Sequence, residues 1–162
     1  MKKKVYIETT IPSFYYEERT QPVIMIAQRE QTRKWWDTRR QLYELVVGAA
    51  TVEELRRGKH PLQESKLQLI SEIPVIHFTE AVERIVDVYI ANKLMPNNVL
   101  GDALHLALAS LGKCDFLLTW NCNHLANANK FEHIRRINTR LGLFVPTITT
   151  PIQLMSLEGV KP

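Results

Sequence analysis

Four residues with oxygen-bearing side chains, Glu8, Glu54, Asp102 and Asn121, fall at points where candidate elements of secondary structure begin or end. Three carboxylates and an amide gathered in one place repel one another unless a cation neutralises them. An all-oxygen set of this kind suits Mg2+ or Mn2+ rather than Zn2+. Taken singly, each acid reads equally well as a charge in the first turn of a helix or on a solvated face, and only joint placement makes a metal site. His105, one turn after Asp102, is open to three readings: a ligand, a general base, or a core histidine bonded to a backbone carbonyl. The last is favoured because magnesium-type sites prefer oxygen and because Leu104 and Leu106 flank it. Glu53 points about 100° away from Glu54 around a helix and is the fallback for a register shifted by one. Asp115 opens a strand at the end away from the site and reads as structural, and His60 and His124 read as solvent residues.

An alternation of strands and helices must position these residues. Val5-Tyr6-Ile7 is a short β-prone run that leaves Glu8 at its carboxyl end, and Thr9-Thr10-Ile11-Pro12 reads as the turn that stops it. Residues 22–40 read as a helix anchored by Trp35-Trp36, a pair suited to core or interface packing and less well to stacking on bases. Tyr43 to Val47 has the character of a second strand, closed by Gly48-Ala49-Ala50. Thr51 is then expected to cap a short helix that carries Glu54 and ends at Gly58. A helical piece from Pro61 to Ile70 and a brief strand from Pro74 to Phe78 come next. Val82, Ile85, Val86, Tyr89 and Ile90 form one apolar stripe on a helix expected from Thr79 to Met95 and stopped by Pro96-Asn97-Asn98. The next helix, Leu100 to Gly112, opens with Asp102 and has small residues that let it approach a sheet closely. Asp115 to Thr119 is a buried-type strand followed by the loop that holds Asn121. A last helix spans Asn129 to Leu141, Leu143 to Val145 reads as a strand, and Pro146 and Pro151 punctuate the C-terminal stretch.

Strands that alternate with helices imply βαβ crossovers, so the expected fold class is α/β, with three layers in which helices flank a central parallel sheet. In such sheets the functional crevice lies beyond the carboxyl ends of the strands, where all four candidate residues fall. Residues 1–150 are expected to form one domain and 151–162 a C-terminal tail. The 162 residues, 45% hydrophobic and 23% charged, suit one domain with one core. No apolar run is long enough to span a membrane or serve as a signal peptide, so the expected location is the cytoplasm. The net charge of +4 is compatible with a polyanionic partner without demanding one. Cys114 and Cys122 have neither metal nor disulfide spacing and read as incidental thiols. A nucleotide-binding reading fails for want of a glycine-rich phosphate loop.

Val5-Tyr6-Ile7-Glu8-Thr9-Thr10, Thr51-Val52-Glu53-Glu54-Leu55 with Gly58, Gly101-Asp102-Ala103-Leu104-His105-Leu106-Ala107 and Phe116-Leu117-Leu118-Thr119-Trp120-Asn121 stand in the order and spacing of the successive motifs of the PIN-domain family, which the chain resembles. The resemblance covers nearly the whole chain and is nearest to the small prokaryotic VapC-like members. It implies a PIN-like three-layer fold and a Mg2+- or Mn2+-dependent endoribonuclease that hydrolyses RNA phosphodiesters, including the toxins of toxin-antitoxin pairs. It places the metal ligands on Glu8, Glu54 and Asp102, with Asn121 orienting the attacking water. Thr9 falls near the scissile phosphate, Thr119 behind the ligands, and Arg56 or Arg57 on outlying phosphates. The sequence departs from the family pattern at Glu8 and Asn121, where the family carries aspartate, and Asn123 stands where some members have a further acid. The departure at Asn121 favours the alternative of a weakened module that binds RNA or a protein partner. The resemblance also implies a homodimer, for which the tryptophans, read as exposed, and the apolar positions of the helix at 22–40 offer an interface, and an antitoxin protein as a possible partner.

Overall fold

The computed structural model describes residues 1–60, 62–95 and 100–159. Its centre is a sheet of five strands in the order β3-β2-β1-β4-β5, every neighbouring pair parallel. The strands are β1 (Lys3–Ile7), β2 (Tyr43–Gly48), β3 (Val75–Ile76), β4 (Phe116–Leu118) and β5 (Thr147–Thr149). The helices are α1 (Thr10–Tyr15), α2 (Val23–Arg39), α3 (Ala49–Arg57), α4 (Gln63–Leu69), α5 (Glu80–Ala91), α6 (Leu100–Leu111), α7 (Ala128–Arg140) and α8 (Pro151–Gly159), with one 3-10 turn before β2.

Residues adjacent along a strand point to opposite faces, and this alternation divides the core in two. Tyr6 lies level with Val46 and Leu117, and these three face a layer made by Val82, Ile85, Val86 and Tyr89 of α5, the small residues of α6, and Ile134 and Ile137 of α7. Val5, Ile7, Val47 and Leu118 face the other way, onto Ile11 of α1, Trp35 and Trp36 of α2, Leu55 of α3 and Leu154 of α8. This is the three-layer α/β/α arrangement expected from the alternation of elements.

Several local readings are corrected. The stretch after Glu8 is a short helix rather than a turn, with Pro12 in its first turn, where a missing N–H does no harm. Helix α3 starts three residues earlier than expected: Gly48 is its N-cap, and the Thr51 hydroxyl donates instead to the Ile7 carbonyl at 2.9 Å. Trp35 and Trp36 are fully buried, so they are core and offer neither a dimer interface nor a stacking platform. Helix α5 ends at Ala91, and the expected stop at Pro96-Asn97-Asn98 lies outside the described residues, as does Pro61.

The fifth strand is Thr147–Thr149 and not Leu143 to Val145. Asn138 captures that earlier segment: its carbonyl accepts from Leu143 N at 2.8 Å, and its amide donates to the Phe144 carbonyl at 3.0 Å. The same Asn138 accepts from Tyr89 Oη at 2.6 Å and donates to Ser110 Oγ at 2.9 Å, so one buried amide ties α5, α6 and α7 together. Where a tail was expected, residues 151–159 form α8, and its Leu154 completes the core around the tryptophans.

Candidate functional site

The carboxyl ends of β1, β2 and β4 lie side by side, and the segment leaving each one carries a candidate side chain. Glu8 follows β1 directly and is only 4% exposed. Its Oε1 accepts from Thr10 N at 3.1 Å, from the Thr10 hydroxyl at 2.5 Å and from the Thr119 hydroxyl at 2.6 Å. Those hydroxyls are themselves held by backbone donors from the loop after β4, Trp120 N to Thr10 at 2.8 Å and Asn121 N to Thr119 at 2.9 Å. The three donors fix one carboxylate oxygen, and the other, Oε2, faces His105 Nε2 at 3.8 Å.

Glu54 lies in the second turn of α3, which the Thr51 bond pins to the end of β1. Its Oε1 is 2.7 Å from His105 Nε2. His105, on α6, is 1% exposed, and Tyr6 holds the far side of the ring, with Oη 2.8 Å from Nδ1. Space for that tyrosine comes from Gly48, because a Cβ there would fall 2.1 Å from Tyr6 Oη. A glycine closing a strand thus serves a close approach rather than a turn.

A second group adjoins the first. Asp102 Oδ1 accepts from Asn121 Nδ2 at 2.8 Å, and its Oδ2 is 2.9 Å from His124 Nδ1. Asn121 Oδ1 accepts from His124 N at 3.1 Å. Both ends of the amide are therefore engaged in closing the loop onto Asp102.

Burial raises the Asp102 pKa above its ordinary value, against the opposing hydrogen bond from His124. For Glu54, burial pushes upward, but the hydrogen bond and charge of His105 outweigh it and the carboxyl lies below its ordinary value. Burial disfavours the charged form of His105, yet the bond to Glu54 and the charges of Glu8, Glu54 and Asp102 hold its pKa above the usual one. The acids around it thus favour the protonated imidazole, against its burial.

One donor atom each from Glu8, Glu54 and His105 lies within 4.8 Å of the others. Ligand distances of about 2.0–2.2 Å place neighbouring donors roughly 3–3.5 Å apart. The 2.7 and 3.8 Å separations bracket that range, so the residues fit a divalent cation after small side-chain movement.

No protein-family profile and no curated protein sequence matches the chain. Among solved structures it is similar to a chain of the crystal structure of VapBC2 from Rickettsia felis bound to a DNA fragment from their promoter. The identity is 13% and the TM-score 0.49, over 91% of this chain and 98% of that one. The fold assignment accordingly rests on the strand order and layers of the chain itself.

The four residues singled out from the sequence all reach this one edge, but they divide between the two groups. Glu8 and Glu54 share the cation-sized space with His105, while Asn121 and His124 engage Asp102. His105 bonds to Tyr6 and Glu54 rather than to a backbone carbonyl, and His124 bonds to Asp102 rather than standing in solvent. The signal for His105 was the i, i+3 spacing from Asp102, which puts both on neighbouring positions of α6. For His124 it was the Asn121-x-x-His124 spacing, short enough for one loop turn to bring amide and imidazole to the same carboxylate. Glu53 points away, exposed and 3.6 Å from Arg57. Thr9 Oγ1 lies 3.4 Å from His105 Nε2. Asp115 accepts from Lys4 N at 2.8 Å and ties β1 to β4 at the opposite end of the sheet.

Proposed function

We propose that the chain is a PIN-type, divalent-metal-dependent endoribonuclease that hydrolyses RNA phosphodiesters at the edge formed by Glu8, Glu54, Asp102 and Asn121. The observation that carries this reading is the convergence of Glu8 and Glu54 on one cation-sized space beside Asp102, at the carboxyl end of a parallel sheet. Mg2+ or Mn2+ bound there supplies Lewis-acid polarisation of a phosphoryl oxygen and activation of water.

The chain's own residues do the rest. Glu8 and Glu54 hold the cation. Asp102 adds a third negative charge at the same edge, with Asn121 and His124 fixing its two oxygens. Thr10 and Thr119 fix the Glu8 carboxylate, so little rearrangement is needed when a substrate arrives. Arg56 and Arg57, exposed at the end of α3, meet phosphates away from the cut.

As part of the same proposal the protein works in the cytoplasm, pairs as a homodimer and is held by an antitoxin protein as the toxin of a pair. Among the described residues no helix is long and apolar enough to cross a membrane. Growth arrest on induced expression, lifted by Asp102→Ala, supports the toxin role; normal growth with active nuclease removes it. Monodisperse monomer mass in light scattering removes the homodimer.

One observation favours a second reading. His105 already bonds Glu54 at 2.7 Å, and Asn121 withholds a charge, features of a weakened module that binds RNA or a protein partner. Cleavage of a structured and a single-stranded RNA in Mn2+, beside Asp102→Ala and Asn121→Asp, separates the two. Cutting by the wild type that Asp102→Ala abolishes supports the nuclease. An inert wild type beside an active Asn121→Asp variant supports the weakened module, and no cutting by either overturns the mechanism.

A further inference from the structure

His105 places a nitrogen donor in the middle of what the acids alone would make an oxygen site. Building on the metal-site reading, we propose that His105 Nε2 is itself a ligand. With Glu8 Oε2 and Glu54 Oε1 it completes a mixed nitrogen and oxygen site that prefers a first-row transition ion such as Mn2+ to Mg2+.

Four observations converge on this assignment. The imidazole is 1% exposed, and its Nε2 points between two carboxylates, 2.7 Å from Glu54 and 3.8 Å from Glu8. Its other nitrogen is engaged by Tyr6 Oη at 2.8 Å. Nδ1–H donating to that hydroxyl fixes the ring plane, as partners behind metal-bound histidines do, and an incoming cation takes the place of the Nε2 proton that faces the acids. The tyrosine is held in turn by the absence of a side chain at Gly48. Finally, Glu8 Oε1 is occupied by three donors, while Oε2, on a side chain only 4% exposed, is turned to the same space as the imidazole.

Donor chemistry then selects the ion. Mg2+ demands near-ideal octahedral oxygen coordination and gives up its waters reluctantly, whereas the first-row divalent ions, Mn2+ included, accept an imidazole beside carboxylates more readily. The competing explanation is that His105 serves only as an internal counter-cation for Glu8 and Glu54. In that case an added metal meets no nitrogen.

The test is Mn2+ binding to the purified full-length chain, followed by loss of the free-ion signal in electron paramagnetic resonance, with Mg2+ as competitor. Pulsed measurements on protein labelled with 15N-histidine report directly whether nitrogen touches the ion, and need no variant to fold. The expected result is a nitrogen coupling in the wild type, and Mn2+ retained against roughly a hundredfold excess of Mg2+. His105→Gln should lose the coupling and weaken Mn2+ binding at least about tenfold, while His133→Gln, on α7, keeps both. Mn2+ bound without nitrogen coupling, or displaced by equimolar Mg2+, overturns the proposal. So does a coupling that survives His105→Gln and disappears in His124→Gln, which would place the ion on Asp102 instead. Nitrogen-coupled Mn2+ in a protein that cuts no RNA supports this site while removing the nuclease reading.

Discussion

Replacing Asn121 by aspartate tests the charge architecture of the site with a change of one atom. The amide nitrogen that donates to Asp102 Oδ1 at 2.8 Å becomes a carboxylate oxygen facing another. At an effective dielectric of about 20, two unit charges at that 2.8 Å separation repel by about 6 kcal/mol. Protonating one carboxyl at pH 7 costs only about 4 kcal/mol, roughly three pH units at 1.36 kcal/mol each. The smaller number wins. At neutral pH the metal-free variant therefore shares one proton between the two acids, and that proton replaces the lost amide hydrogen bond. The ceiling on destabilisation is about 4 kcal/mol, and the already raised pKa of Asp102 brings the real loss below it. For a chain of this size the melting temperature should drop by at most roughly 8–16 °C in chelator at pH 7, and the difference should shrink toward zero near pH 4. Mn2+ at about a hundred times its dissociation constant returns about 2.7 kcal/mol by mass action. The variant, with one more charge to neutralise, should gain more than the wild type. Calorimetric melts at pH 4, 5.5 and 7, with chelator and with Mn2+, measure all of this. A variant that melts with the wild type at pH 7 refutes the Asp102–Asn121 contact, and a deficit that Mn2+ does not narrow refutes the cation site beside it.

Three further outcomes rest on the same geometry. The pKa of His105 is raised in the folded protein, so its stabilising contribution is complete below about pH 6.5 and is lost as pH rises through the folded value. Glu54 is depressed, and its contribution fades as pH falls below about 4.5; metal-free melts should therefore be highest between these limits, and a stability that keeps rising above pH 8 contradicts the pairing. Gly48→Ala forces a methyl against Tyr6 Oη and should cost about 1–3 kcal/mol in urea denaturation. It should also weaken Mn2+ binding through His105, and full stability would show that the close approach is absent. Trp36→Ala should cost about 3–5 kcal/mol as a core cavity without altering the oligomeric state in light scattering. A change of mass with stability intact would put the tryptophan back at an interface.

Local patterns were legible in the sequence, and long-range partnerships were not. Val5-Tyr6-Ile7 and Phe116-Leu117-Leu118 could only be buried strands, and the stripe on α5 only a helix face, so the sheet and its edge followed from alternation alone. Leu143 to Val145 is as β-prone as Thr147 to Thr149, and nothing in it reveals that Asn138, five residues upstream, engages its backbone through a network reaching Tyr89 and Ser110. Helix α8 was illegible for the same reason, since its anchor Leu154 matters only because Trp35 and Trp36 turn inward to meet it.

At the site the four oxygen-bearing residues could be read because each follows a strand closely or lies in the first two turns of a helix. For the two histidines spacing signalled only nearness to Asp102, because their meaning lies in the partner across the fold. A histidine between leucines on a helix is bland until Glu54 from another helix and Tyr6 from a strand arrive at its two nitrogens. That difference has a chemical consequence. A site read from its acids alone suits Mg2+ and Mn2+ alike, whereas the ligand role proposed for His105 favours the transition ion, so the choice between the two metals turns on the one residue that local pattern assigned to the core.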